Sequence, residues 1–176
     1  MTTQQNQTRD AVIALSPVQS TVQITKELSM AGYNRIDRVD YQEALIQTVQ
    51  TRKPHVVIIT SELPGRRTTS EIFTEITTAS PNTKIIFISK NVPEESILDL
   101  YLAASLSAWL LSERAERTLS LAIEAAEAGQ LFIDFMISKA IRNLISEKQS
   151  VLTSANSNYA NLELLTEREA EVLKYL

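Results

Sequence analysis

Residues 54–65, which read PHVVIITSELPG, decide the fold class of this chain. Residues 56–59 are four consecutive β-branched side chains, a pattern typical of a parallel-sheet strand that is covered on both faces. Pro64 and Gly65 follow and break the chain. The segment therefore predicts a buried strand that ends at Thr60 and runs into a tight turn.

Apolar runs and helical patterns alternate on both sides of this strand. Strands are predicted at residues 11–15, 36–39, 56–60, 84–89 and 108–111. The first predicted helix begins at Pro17 and has Ile24, Leu28 and Ala31 on one face. The second follows residue 39, with Tyr41, Ala44, Leu45 and Thr48 on one face, and the third covers 68–79, with Ile72 and Ile76 inward. The fourth begins at Pro93, with Ile97, Leu100, Tyr101 and Ala104 on one side, and the fifth ends at Gly129, with Leu119, Ala122, Ile123 and Ala126 inward. Five strands joined by helical crossovers predict a doubly wound, flavodoxin-like α/β fold with a five-stranded parallel sheet.

In sheets of this kind the functional pocket lies beyond the carboxyl ends of the strands. The residues at these ends are Leu15, Ser16, Thr60, Ser89 and Ser112. None of the five carries a charge, and no glycine-rich phosphate loop follows any predicted strand. The position of the pocket is therefore predicted, but its chemistry is unusual for a nucleotide-binding or metal-binding enzyme.

The segment 54–65 resembles the third strand of response-regulator receiver domains, in which a proline, an apolar run, a phosphoacceptor aspartate and a Pro-Gly turn follow one another. Pro54, Pro64 and Gly65 fall in register, and Thr60 takes the place of the aspartate. The resemblance implies that Leu15 and Ser16 stand where receivers carry the two magnesium-binding carboxylates.

The same resemblance assigns the other candidate positions. Ser89 keeps the hydroxyl that ends the fourth strand, whereas Ser112 stands where receivers carry a lysine. Trp109 stands where they carry a Tyr or Phe that swings inward on phosphorylation. An inward Trp109 would either mimic the active state or be a packed aromatic with no switching role.

These substitutions together remove every charge that phosphoryl transfer to a receiver uses. Thr60 is a weak nucleophile without an adjacent base. The lone His55 lies at the other end of the same strand. A strand-end hydroxyl bonded to neighbouring backbone is the expected role of Thr60. The sequence therefore predicts a pseudo-receiver with an inactive phosphorylation pocket, no catalytic residue, no resident metal and no cofactor.

Composition limits the classes of function. The net charge of −4 argues against a broad basic surface for nucleic acid within these residues. The absence of cysteine excludes disulfides and thiolate zinc sites. No signal-peptide pattern and no apolar run of roughly 20 residues is present, so a cytoplasmic protein without a membrane span is expected. Residues 1–10 are expected to form a flexible polar tail.

A second motif, LTEREAEVL at residues 165–173, closes the chain. Thr166 and Glu169 form a capping box at the start of an apolar helix pattern. The motif resembles the opening of the LuxR-type helix-turn-helix domain, which follows a receiver in NarL/FixJ-type response regulators. The expected organisation is a receiver-like domain at 11–130, an additional helix at 131–149, a linker at 150–163, and the truncated start of a DNA-binding domain at 164–176. The additional helix is predicted because Ile133, Ile137, Ile141 and Leu144 recur at helical spacing. The recognition helix lies outside the chain, so no DNA-contacting residue is assigned.

The resulting functional prediction is a phosphorylation-independent transcriptional regulator. It would act as a homodimer, bind DNA through its full-length C-terminal domain, and respond to a protein or small-molecule effector. The alternative is an interaction module that regulates another protein without binding DNA. A reading frame that continues beyond Leu176 with an Asn-Lys-x-Ile-Ala-like segment favours the transcription regulator, and a stop codon there favours the interaction module.

Overall fold

The β-branched runs form the centre of a parallel sheet in the computed structural model, which describes residues 8–92, 106–143 and 146. Six strands are present in the described residues: β1 Asp10–Ala14, β2 Arg35–Val39, β3 Val56–Thr60, β4 Lys84–Ser89, β5 Leu106–Leu111 and β6 Phe132–Ile133. Their order across the sheet is β2-β1-β3-β4-β5-β6, and every neighbouring pair is parallel. The predicted doubly wound α/β fold is confirmed.

Four helices connect these strands in the described residues: α1 Val22–Met30, α2 Gln42–Arg52, α3 Thr69–Ala79 and α4 Ser112–Glu127. α3 begins with the capping box of Thr68 and Glu71, which satisfies two backbone N–H groups that a helix end leaves free. α1 begins five residues after Pro17, because residues 17–19 form a turn instead. The helix predicted from Pro93 to Ala104 lies outside the described residues.

Apolar side chains fill both sides of the sheet. One layer joins α1 and α4 to the strands and includes Leu28, Ile58, Leu110, Leu119 and Ile123. On the other side Phe73 of α3 meets Phe87 edge-on, with ring centroids 5.3 Å apart. Each such side chain stabilises the fold by about 1.5–3 kcal/mol when it leaves water. The central strands are therefore fixed from both faces, as their sequence predicted.

The sequence prediction is wrong about the buried face of α2 and about the edge of the sheet. α2 buries Gln42, Leu45, Ile46 and Val49, whereas Tyr41 is 53% exposed. The helix starts one residue later than the periodicity suggested, and the extended backbone of Tyr41 turns its ring outward. The sheet also has a sixth strand, because Ile133 pairs with Trp109 in β6 and does not belong to the helix that follows.

The chain divides into two compact units, with the boundary after Ser138. Residues 135–143 are helical, and Asp134 begins this helix by accepting a hydrogen bond from the Met136 backbone N–H through its side chain. The predicted additional helix therefore starts at 135 and not at 131. The predicted linker at 150–163 and the helix-turn-helix start at 164–176 lie outside the described residues.

No helix in the described part of the chain combines the length and the apolar character needed to cross a bilayer.

Candidate functional site

A cavity of about 250 Å³ lies at the carboxyl edge of the central strands, on the side of the sheet that α1 and α4 cover. We call it the strand-end cavity. Its walls come from the ends of β1, β3 and β4, the turn before α1, α1 itself and the first turns of α4. The lining residues are Leu15, Gln19, Ser20, Gln23, Ile24, Thr60, Ile88, Ser112, Ala115, Glu116 and Leu119.

The structure brings three of the six predicted site residues together in this cavity. Leu15, Thr60 and Ser112 line it, and they come from the end of β1, from β3 and from the start of α4. Ser16 lies beside the cavity, with its backbone N–H bonded to Gln19. Ser89 and Trp109 do not line the cavity, because their side chains meet elsewhere in the protein interior.

Gln19 holds the polar side of the strand-end cavity together. Its Oε1 accepts hydrogen bonds from the Thr60 hydroxyl at 3.2 Å and from the Ser16 backbone N–H at 3.1 Å. Its Nε2 donates to the Glu62 carboxylate at 3.1 Å. The hydroxyl of Thr60, a residue that is 6% exposed, is therefore bonded to a neutral side-chain amide rather than to backbone. No base lies within reach of it in these contacts, so it is not activated as a nucleophile.

Ser89 is bound to Trp109. The indole Nε1–H donates to Ser89 Oγ at 2.9 Å, and Ser89 Oγ lies 3.5 Å from the carbonyl oxygen of Leu110. Trp109 is fully buried, and the centroid of its ring lies 5.7 Å from that of Phe87. The hydroxyl at the end of β4 is thus used inside the core, and Trp109 is a packed core aromatic in this structure.

The charges around the cavity do not suit a magnesium ion. Mg²⁺ sites use carboxylate oxygens and bound waters in octahedral geometry. At the two positions after β1 that the receiver resemblance assigns to carboxylates, the chain carries Leu15, which is buried, and Ser16. Glu62 is taken by Gln19 and by Lys90, whose ammonium lies 3.1 Å from its carboxylate. Among the described residues, no three His, Asp or Glu side chains come together as a metal-binding cluster.

The turn after β3 is fixed by a buried glutamine. Gln42 of α2 donates to the carbonyl oxygens of Leu63 and Arg67 and accepts from the Arg67 backbone N–H at 2.8 Å. A Cβ at Gly65 would lie 2.0 Å from Gln42 Oε1. A side chain at position 65 would therefore displace the Gln42 amide from these hydrogen bonds. The Arg67 guanidinium extends the contact to α3, where its hydrogen bond to Glu75 raises the pKa of Arg67.

Sequence reasoning missed Gln19 and Gln42. Both are polar residues that the chain brings to the carboxyl edge from 41 and 21 positions away from their partners Thr60 and Leu63. Local patterns carry no signal for such pairs, because glutamine side chains are usually exposed to solvent. The pairing of β1 with β3 brings the turn that carries Gln19 beside the end of β3, and this arrangement is visible only in the folded structure.

The fold is similar to receiver domains of response regulators. The isolated receiver domain of RcsB from Salmonella enterica serovar Typhimurium, solved with the phosphomimetic BeF3−, matches with a TM-score of 0.66 and 22% identity, over 76% of this chain and 98% of that one. A structure of RcsB dimers bound to two parallel DNAs matches with a TM-score of 0.65 and 22% identity, over 77% of this chain and 68% of that one. A LuxR-family response regulator from Aurantimonas sp. SI85-9A1 matches with a TM-score of 0.65 and 18% identity, over 78% of this chain and 97% of that one.

No protein-family model matches the sequence, and no curated protein does. At identities of 18% to 22% the structural similarity establishes a receiver fold. It carries no activity over to this chain, because one fold supports many functions.

Proposed function

We propose that this chain is the regulatory part of a transcription regulator whose receiver domain works without phosphorylation. The observation that carries the proposal is the state of Thr60, the residue in the phosphoacceptor position. Its hydroxyl is bonded to the neutral amide of Gln19, and Leu15 lines the cavity where a metal-binding carboxylate would be needed. A receiver scaffold without its reactive groups is expected to act as a binding module.

The lack of cationic side chains among the described residues that line the strand-end cavity supports the same proposal. Phosphoryl transfer needs positive charge where negative charge develops. Ser112 stands at the start of α4 in place of a lysine, and no Lys or Arg is among the described residues that line the strand-end cavity. Lys90 lies after β4, but its ammonium pairs with Glu62. The site therefore lacks both the nucleophile and the charge compensation of a phosphorylated receiver.

The proposed output is DNA binding. The motif at residues 165–173 resembles the start of a LuxR-type domain, and solved structures with the same receiver fold include RcsB dimers bound to DNA. The acidic balance of the chain agrees with a division of labour in which a separate C-terminal domain supplies the basic surface. A homodimer would place two such domains on one DNA site.

A binding experiment with the full-length gene product tests this function. Fluorescence anisotropy should show sequence-selective binding that weakens steeply between about 50 and about 200 mM salt, because phosphate contacts release counterions. Acetyl phosphate with Mg²⁺ should leave the affinity unchanged. An affinity that rises with acetyl phosphate would contradict phosphorylation independence. Absence of sequence-selective binding would favour the DNA-independent interaction module.

A further inference from the structure

We propose that the strand-end cavity binds a small, uncharged organic molecule that carries an apolar body and an amide or hydroxyl group. This inference rests on the proposed function, since it names the class of input that would replace phosphorylation. The volume of the cavity is about 250 Å³. Pockets for drug-sized ligands begin at roughly 300 Å³, so the ligand is expected to be smaller than such molecules.

The apolar part of the cavity lining favours a ligand with an apolar body. Leu15, Ile24, Ile88 and Leu119 line it from the end of β1, α1, β4 and α4. All four belong to or pack against the apolar layer on this side of the sheet, so their positions are fixed by the core. Leu15, Ile88 and Leu119 are at most 5% exposed, so a ligand gains mainly close packing contacts with them, and it removes apolar surface from water chiefly at the half-buried Ile24.

The polar wall sets the functional group. The Thr60 hydroxyl uses its hydrogen on Gln19 Oε1, which leaves its oxygen lone pairs as acceptors. Gln19 Nε2 carries two hydrogens, and the structure directs one of them to Glu62. An amide or hydroxyl group can both donate to the Thr60 oxygen and accept from the second Nε2 hydrogen. The lining thus offers a matched donor and acceptor next to an apolar surface.

The charge of the lining disfavours anions. Glu116 is the only ionisable side chain among the described residues that line the cavity. The N-terminus of α4 attracts negative charge weakly, but Glu113 already lies in its first turn. A carboxylate or phosphate in the cavity would meet Glu116 without a cation to offset it. An uncharged ligand avoids this repulsion.

Two molecules of nearly equal size test the inference: benzamide, which is uncharged, and benzoate, which is an anion. The whole chain is prepared with ¹³C-labelled isoleucine δ1 methyl groups, and methyl spectra are recorded with each probe at millimolar concentration. Ile24 and Ile88 report on the cavity, while Ile72 and Ile76 of α3 lie on the other side of the sheet and serve as internal references.

Matched variants show whether the signal comes from the cavity. Ala115→Leu adds an isopropyl group to the wall of the cavity, whereas Ala125→Leu adds the same group elsewhere on α4. Glu116→Gln removes the carboxylate while keeping the side-chain shape. Unchanged Ile72 and Ile76 methyl positions verify that each variant is folded.

The expected result is that benzamide shifts the Ile24 and Ile88 methyls and that benzoate binds at least about fivefold more weakly, as one nearby charge predicts. Ala115→Leu should abolish the methyl shifts caused by benzamide, and Ala125→Leu should keep them. Glu116→Gln should reduce the difference in affinity between benzamide and benzoate. The inference is overturned if benzamide leaves both methyls unmoved, if benzoate binds as well, or if Ala115→Leu has no effect. Such a failure would leave phosphorylation independence standing, because the acetyl phosphate experiment measures that property separately.

Discussion

The indole Nε1 of Trp109 donates a hydrogen bond of 2.9 Å to the hydroxyl of Ser89, one strand away and inside the core. Trp109 is 0% exposed and Ser89 is 2% exposed. Ser89 is the one hydroxyl residue that the receiver resemblance kept, and its side chain is bonded in the core and does not line the strand-end cavity. The bond also joins Trp109 of β5, the only tryptophan of the chain, to a fixed partner on β4.

The first prediction concerns this bond. Ser89→Ala leaves the buried indole N–H without an acceptor, and we expect it to lower the free energy of unfolding by about 1–3 kcal/mol. Trp109→Phe should lower it by about 2–3 kcal/mol, because the bond is lost and the ring is smaller. Urea unfolding followed by circular dichroism measures both changes.

The double variant serves as the control. When both partners are absent, the loss should be smaller than the sum of the two single losses by about 1 kcal/mol. Strictly additive losses would mean that the two side chains do not interact in solution.

The second prediction uses Trp109 as a fluorescence probe. Because its side chain is fully buried, we expect emission at short wavelength and weak quenching by acrylamide. Since its partner Ser89 lies apart from the strand-end cavity, acetyl phosphate with Mg²⁺ should change neither property. A red shift on addition of acetyl phosphate would show that Trp109 does move in response to phosphate.

The third prediction concerns the turn that Gln42 fixes. Gly65→Ala forces a methyl group into the space of the Gln42 amide. We therefore expect a loss of about 1–3 kcal/mol in the free energy of unfolding. Chemical denaturation of Gly65→Ala together with Gln42→Ala provides the check, because the second change removes the clash.

Gly129→Ala is the comparison for this variant. A Cβ at Gly129 has nothing within 4 Å, and the φ angle of this residue is 71°. This left-handed backbone is unfavourable for alanine, so we expect only a strain of about 1–2 kcal/mol there. In the Gln42→Ala background, Gly65→Ala should lose most of its effect whereas Gly129→Ala should keep its own. Equal effects of Gly65→Ala in both backgrounds would contradict the proposed clash.

Part of the fold and of the candidate site could be predicted from the sequence alone. The bounds of β3 and β4 were predictable because short runs of β-branched and aromatic residues bounded by turn residues are typical of a strand covered on both faces. The strand β6 was not, since Ile133 and Ile137 have helical spacing and two residues are too few for a strand pattern. The cavity position followed from topology, but the role of Gln19 did not, because it depends on a contact across 41 residues.

The fourth prediction concerns alkaline pH. Burial, and then the nearby Glu127 carboxylate, raise the pKa of the Tyr33 hydroxyl. The Arg9 guanidinium, whose carbon lies 4.3 Å from the centroid of the Tyr33 ring, acts in the opposite direction, because a cation favours the ionised hydroxyl. A raised pKa in the folded protein gives stability that is complete below the unfolded value of about 10 and is lost as the pH rises through the folded value. The free energy of unfolding should therefore fall above about pH 10.

Tyr33→Phe should remove this part of the pH dependence, and Tyr41→Phe, a change at a residue 53% exposed, should retain it. Urea unfolding at a series of alkaline pH values makes the comparison. If Tyr33→Phe follows the same pH profile as the unmodified protein, the titration of Tyr33 is not its source.

The most direct test of phosphorylation independence is the intact mass of the chain after incubation with acetyl phosphate and Mg²⁺. A receiver that carries the phosphoacceptor aspartate, treated in the same way, serves as the positive control. Because Thr60 is bonded to Gln19 and has no cation or metal-binding carboxylate pair among the described residues that line its cavity, the mass should remain that of the unmodified chain. A stoichiometric adduct of one phosphoryl group per chain, whether a base-labile carboxyl phosphate or a threonine phosphate ester, would contradict the proposal.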